Sequence, residues 1–109
     1  MMQATEAQAL RAILDYLTLK GILFIRVQPV KPFTDRRTGH LRFAPVRQGQ
    51  AGAPDIVIFL PGGRPVAVEV KASKGRLSPA QEEWRDALTK IGVVYVVARS
   101  VEDVERVVA

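Results

Sequence analysis

Asp55, Glu69 and Lys71 are the residues of this sequence whose types and spacing could do chemistry together. Asp55 closes Gly52-Ala53-Pro54-Asp55 and leads into the apolar run Ile56-Val57-Ile58-Phe59-Leu60. Pro61-Gly62-Gly63 then reverses the chain into Arg64-Pro65-Val66-Ala67-Val68-Glu69-Val70-Lys71. Two apolar runs of strand length around a Pro/Gly turn predict a β-hairpin. Pro61 suits the first central position of a type I turn, with Gly63 left-handed after it, which makes a three-residue loop. That loop pairs Leu60 with Arg64 and, counting outward, sets Asp55 opposite Glu69. Lys71, two residues on, shares the Glu69 face. A slip of one residue would send Asp55 to the other face. Two neighbouring carboxylates repel unless a cation lies between them, and oxygen-only ligands favour a hard one such as Mg²⁺ or Mn²⁺.

The elements that must position this trio read as follows. Thr5 to Lys20 predicts a helix, with Thr5 and Gln8 as a capping box and Ala7, Leu10, Ile13, Leu14 and Leu17 as its apolar stripe. Gly21 stops it, and Glu6 in its first turn complements the helix dipole. Ile22-Leu23-Phe24-Ile25 is a continuous apolar strand, expected to be covered on both faces. Gln28 to Gln50 is too long for a plain connection. Pro29, Pro32 and Pro45 argue against a central strand there, while Thr38-Gly39 turns a short excursion that returns through Leu41-Arg42-Phe43 at an edge.

After the hairpin, Ala72 to Leu77 is a polar loop with Lys74 and Arg76. Ser78 caps a second helix, Pro79 fits its first position, and Gln81 completes a capping box. Ala80, Trp84, Ala87, Leu88 and Ile91 form its expected buried stripe, and Gly92 ends it. Val93 to Val97 is expected as a buried strand, and Ser100 as the cap of a short helix carrying Val101, Val104 and Val108. Strand–helix–strand is a right-handed crossover, so the last strand runs parallel to the Glu69 strand. The order is αβββαβ with a short C-terminal helix: a mixed four-stranded sheet flanked by helices, an α/β fold.

At 109 residues the chain is expected to form a single domain spanning 1–109 around one core. It has no cysteine, which excludes disulfides and thiolate metal sites. Without an apolar signal core or a run of membrane-spanning length, a soluble cytoplasmic protein with no membrane partner is expected. His40 is the lone histidine, so no Ser/His/Asp or Cys/His arrangement is available. No Gly-rich phosphate loop opens a helix either.

The formal charge is +5, and its excess lies in one segment. Between Arg26 and Arg47 stand Arg26, Lys31, Arg36, Arg37, Arg42 and Arg47 against the single acid Asp35, while basic and acidic residues balance elsewhere. With Phe33, His40 and Phe43 interleaved, this segment suggests a polyanion partner.

Pro54-Asp55 followed by Glu69-Val70-Lys71 resembles the PD-(D/E)XK nuclease signature. More narrowly, Gly52-Ala53-Pro54-Asp55 and Leu77-Ser78-Pro79-Ala80-Gln81 resemble the virus-type replication-repair nuclease (VRR-NUC) domain, over nearly the whole chain from Glu6 to about Val104. Arg26-Val27-Gln28 and Gln50 stand where that family often carries an asparagine-rich arginine motif and a lysine. The resemblance implies a restriction-endonuclease-like fold and a Glu6 that reaches the metal site, with Gln81 near it. Asp55, Glu69 and the backbone carbonyl of Val70 would hold the metal, and Lys71 would orient the attacking water and offset transition-state charge.

The expectation is therefore an Mg²⁺- or Mn²⁺-dependent endodeoxyribonuclease, with Asp55, Glu69, Lys71 and Gln81 at the catalytic centre. Arg26, Lys31, Arg36, Arg37, Arg42, Arg47, Lys74 and Arg76 are expected along the DNA. Branched DNA such as a Holliday junction is the expected substrate, in phage or bacterial replication or repair, and a homodimer the expected assembly. The alternative is a non-catalytic nucleic-acid-binding module on the same fold.

Overall fold

The structure, a computed structural model, describes residues 3–27, 31–44 and 51–109, with the side chains at 31–33 and 42–44 excepted. Arg47, Gln28, Pro29, Pro45 and Gln50 lie outside the described residues, as do the side chains of Lys31, Pro32, Phe33, Arg42 and Phe43.

Helix α1 spans Glu6–Leu19. Its Thr5 cap is reciprocal: Gln8 N–H donates to Thr5 Oγ1 and Thr5 N–H donates to Gln8 Oε1. The chain then runs through β1 (Leu23–Arg26), β2 (Lys31–Thr34), β3 (Leu41–Ala44), β4 (Ile56–Leu60) and β5 (Arg64–Val70). Helix α2 (Pro79–Lys90), β6 (Val94–Ala98) and α3 (Val101–Val108) complete it. Four strands form one sheet in the order β1-β4-β5-β6, while among the described residues β2 and β3 pair with each other alone. The β1–β4 and β4–β5 pairs are antiparallel and β5–β6 is parallel, the mixed sheet expected. The excursion between β1 and β4 is the β2–β3 hairpin, turned at residues 35–40. Asp35 orders that turn, accepting Arg37 N–H on Oδ1 and Gly39 N–H on its carbonyl.

Alternation along β4 and β5 decides where the core sits. Ile56, Ile58, Leu60, Val66, Val68 and Val70 point to one face and meet Ala9, Ile13 and Leu17 of α1 and Val104 of α3. Fully buried side chains such as Ile13, Ile58 and Val68 contribute about 1.5–3 kcal/mol each. The opposite face carries Asp55, Val57, Ala67 and Glu69 toward α2.

Several expectations change here. Gly62 as well as Gly63 has positive φ, +83° and +72°. Gly62, left-handed directly after Pro61 at the third position of the turn that the Gly63 N–H closes onto Leu60 O, makes it type II rather than type I. The register is nonetheless the one expected, Leu60 opposite Arg64. β1 is not covered on both faces: it is an edge strand, and Leu23 and Ile25 stand 69% and 53% exposed. β6, at the other edge, is half-buried rather than buried. On α1 the inward stripe runs through Ala9, Ile13 and Leu17, with Ala7 exposed. α2 buries no residue fully, and Ile91 is 76% exposed. This helix packs over β6 and stands off the middle of the sheet, where a cavity of about 310 Å³ opens among Val57, Ala67, Trp84 and Leu88. Ser100 occupies the cap position of α3 without a side-chain bond; Asp103 instead accepts the Arg99 N–H at 2.8 Å.

A candidate nuclease site at the open end of the hairpin

Asp55 directly precedes β4 and Glu69 is the penultimate residue of β5. Ile56 pairs with Val68, so the next positions outward set Asp55 opposite Glu69. The Val70 N–H donates to Asp55 Oδ2 at 2.8 Å, which ties the Asp55 side chain to the strand beside it. At the same end, Val27 N–H donates to the Asp55 carbonyl at 2.8 Å. Lys71 follows β5, half-buried, its N–H bonded to Ala98 O at 3.0 Å.

Glu69 is only 3% exposed, an unusual environment for a carboxylate. Burial first, then the Asp55 carboxyl set against it, push its pKa up to about 8, with Lys71 opposing the shift and Glu6 adding to it. One oxygen, Oε2, accepts from Gln81 Nε2 at 3.2 Å. The other, Oε1, is buried without a partner. A carboxyl group held this way favours its protonated form. Asp55, Glu69 and a strand-end carbonyl are hard oxygen donors, so the residues present fit Mg²⁺ or Mn²⁺. Among the described residues the carboxylates that converge are two; no cluster of three His, Cys, Asp or Glu side chains forms.

The loops that flank the site are braced by contacts that sequence reasoning did not foresee. Gly52, at φ +82°, passes so close to α2 that a Cβ there would stand 2.6 Å from the Ala80 carbonyl carbon and 2.8 Å from its Cβ. Glycine is therefore required for Asp55 to sit beside the helix that carries Gln81. Trp84 Nε1 donates to Ala51 O at 3.0 Å and holds the same approach. Arg99 Nη1 donates to Ala72 O at 2.6 Å and Gly75 O at 2.8 Å, fixing the loop after Lys71. Ser73 Oγ donates to Gln3 Oε1, tying that loop to the start of α1. Gly-x-Pro-Asp and the Trp84 spacing carried a signal for the first contact. Arg99 gave none beyond its position just past the last strand.

Other expected site residues distribute more widely. Glu6 is exposed in the first turn of α1, near enough for its charge to act on Glu69. Arg26 is exposed at the end of β1, Arg36 and Arg37 at the tip of the β2–β3 hairpin, and Lys74 and Arg76 in the loop before α2. Among the described residues none of these basic side chains has an ion-pair partner.

A helix, an antiparallel three-strand sheet, a crossover helix and a parallel strand, with acids and a lysine at the hairpin's open end, define an α/β domain with a candidate active site. The sequence model of the VRR-NUC domain matches residues 6–102, and the chain belongs to that family. A solved VRR_NUC domain superposes with a TM-score of 0.65 at 21% identity, covering 94% of each chain. A solved VRR_NUC domain protein superposes with a TM-score of 0.60 at 20% identity, covering 97% of this chain and 86% of that one. At such identities the likeness concerns the fold. No curated protein matches this chain. A nuclease-type domain takes nucleic acid as its partner. Among the described residues no helix is long and apolar enough to cross a membrane.

Proposed function

We propose that this chain is an Mg²⁺- or Mn²⁺-dependent DNA endonuclease, selective for branched DNA such as a four-way junction and acting as a homodimer. The observation that carries the reading is Glu69: a buried carboxyl, paired with Asp55, with one oxygen unpartnered and Lys71 beside it. Buried charge is costly unless it is paired or binds a metal, so such a group is a functional feature rather than a structural one.

Phosphodiester hydrolysis needs an in-line water, neutralisation of charge building on the phosphate oxygens, and help for the leaving alkoxide. A divalent cation supplies that neutralisation and makes a water more acidic. Asp55 and Glu69, with the Val70 carbonyl, are the residues that would hold it, and Glu6 adds negative charge from α1. Gln81 holds Glu69 Oε2 in place and leaves the other oxygen free. Lys71 orients the attacking water and offsets negative charge in the transition state, where a compact ammonium serves better than a planar guanidinium. Arg26, Arg36, Arg37, Lys74 and Arg76 bind backbone phosphates, and the same role is proposed for Lys31, Arg42 and Arg47.

The convergence of two rather than three acidic side chains among the described residues keeps a second reading, a nucleic-acid-binding module without catalysis. One assay separates them. Purified protein is incubated with linear, flapped and four-way-junction DNA, with and without Mg²⁺ or Mn²⁺. Metal-dependent cutting that Lys71→Ala abolishes while DNA affinity persists is expected, a loss of at least ~3 kcal/mol of barrier lowering. Binding without cutting by the wild type in either metal supports the second reading. Cutting by Lys71→Ala at the wild-type rate under single turnover removes the lysine from the mechanism.

A further inference from the structure

Tyr95 on β6 stands beside Ala67 of β5, and the parallel register sets Glu69 against Val97 two residues on. Alternation therefore puts Tyr95, Ala67 and Glu69 on one face of the sheet, the face toward α2. Two polar side-chain atoms of the described residues are buried without a hydrogen-bond partner: Glu69 Oε1 and the Tyr95 hydroxyl. They are complementary, an acceptor and a donor.

Burial first, then the Glu69 and Asp55 carboxylates, push the Tyr95 phenol up to about 12, with the Arg85 guanidinium opposing. The hydroxyl therefore keeps its proton at neutral pH and stays a donor. Both acids lie near enough for their charge to act on it. A phenylalanine would fill the same space without burying an unsatisfied hydroxyl, so the fold alone gives no reason for the oxygen.

Its use becomes clear when Glu69 serves as a metal ligand. Gln81 restrains one oxygen of the carboxylate, and a single hydrogen bond leaves the carboxylate plane free to turn. A second donor on the other oxygen fixes that plane, and a carboxylate oxygen has lone pairs for both a hydrogen bond and a cation. Carboxylates that ligate metals are commonly held by such outer hydrogen bonds. We propose that Tyr95 is a positioning residue whose hydroxyl donates to Glu69 Oε1, directly or across one water, and so holds it in its metal-binding orientation. This rests on the reading of Asp55 and Glu69 as metal ligands.

The test is Tyr95→Phe, read without DNA. Mn²⁺ binding is titrated by paramagnetic resonance at neutral pH, and thermal unfolding is followed in chelator. The expected result is Mn²⁺ affinity weakened roughly ten-fold or more, with a metal-free melting temperature equal to or above that of wild type. Cleavage should follow the same split, with the half-saturating Mn²⁺ concentration raised and the rate largely recovered at saturating metal. Equal Mn²⁺ affinity in both proteins overturns the role of Tyr95 and leaves the metal site standing. A lower metal-free melting temperature overturns it too, because the hydroxyl would then have a structural partner. If wild type itself takes up no Mn²⁺, the metal reading fails and this inference with it.

Discussion

Gln81 Nε2 donates to Glu69 Oε2 at 3.2 Å while Oε1 of the same side chain accepts the Ser78 N–H at 2.8 Å. One amide thus closes the capping box of α2 and restrains a buried carboxyl across the site. Helix start and site geometry are one construction: the cap fixes the residue that orients the acid. The two roles separate experimentally. Ser78→Ala removes the Ser78 Oγ bond to Gln81 N–H and should cost about 1 kcal/mol of stability with little change in single-turnover cleavage. Gln81→Ala should cost about as much and also slow cleavage markedly. Equal cleavage rates in the two variants would confine Gln81 to capping.

The hairpin and its register were legible because a Pro-Gly-Gly turn between apolar runs leaves few pairings, and the capping boxes because side-chain chemistry there is local. The parallel last strand followed from crossover geometry. What the sequence did not reveal depends on which strand ends at an edge. Leu23 and Ile25 read as core, yet β1 closes the sheet on one side and α2 packs at the other, so nothing described covers them. Nor could it show that Arg99 would reach the carbonyls of Ala72 and Gly75, or that the Tyr95 hydroxyl would be buried on the face that carries Glu69, since both depend on long-range packing. For Gln81, spacing gave the cap but not the second bond, which needs the helix laid across the strand.

Glu69 makes the metal-free protein sensitive to pH in a stated direction. Its folded pKa, about 8, lies above the ordinary value of 4.5, so the folded state holds a proton that the unfolded state releases between them. Its contribution to stability is fully present below 4.5 and is lost as pH rises through about 8. Denaturant unfolding in chelator, compared with Glu69→Gln, should show that loss in wild type alone. Mg²⁺ or Mn²⁺ should stabilise wild type increasingly over the same window, because binding expels the proton. A wild type whose stability tracks Glu69→Gln across the window would mean that Glu69 titrates normally.

Arg36 and Arg37 sit at the tip of a hairpin that, among the described residues, forms a sheet of its own, on a turn ordered by Asp35. No recognition helix presents them, so backbone contact without base reading is expected. Neutralising both should flatten the dependence of log affinity on log salt by nearly two units of slope, and equally on unrelated sequences. An unchanged slope would move the phosphate contacts elsewhere, and a loss confined to one sequence would mean that the tip reads bases.

The expected homodimer has a structural candidate for its surface. Each chain carries one set of Asp55, Glu69 and Lys71, whereas symmetric resolution of a four-way junction takes two cuts, and closed twofold pairing is the commonest source of a second site. On β1 the exposed Leu23 and Ile25 lie opposite Phe59 and Val57, an apolar strip along what is a sheet edge among the described residues, and Leu41 of the β2–β3 hairpin is 65% exposed. Edge strands with apolar side chains invite pairing with another chain. Phe33 and Phe43, the other candidates from the sequence, have side chains outside the described residues. Sedimentation at micromolar concentration should find a dimer, and Leu23→Glu with Ile25→Glu should give a monomer that still binds duplex DNA. A wild-type monomer with and without junction DNA ends the dimer reading. A dimer that persists in the double variant moves the interface away from β1. Junction selectivity stands separately, and it fails if linear duplex is cut as fast as a four-way junction at physiological salt.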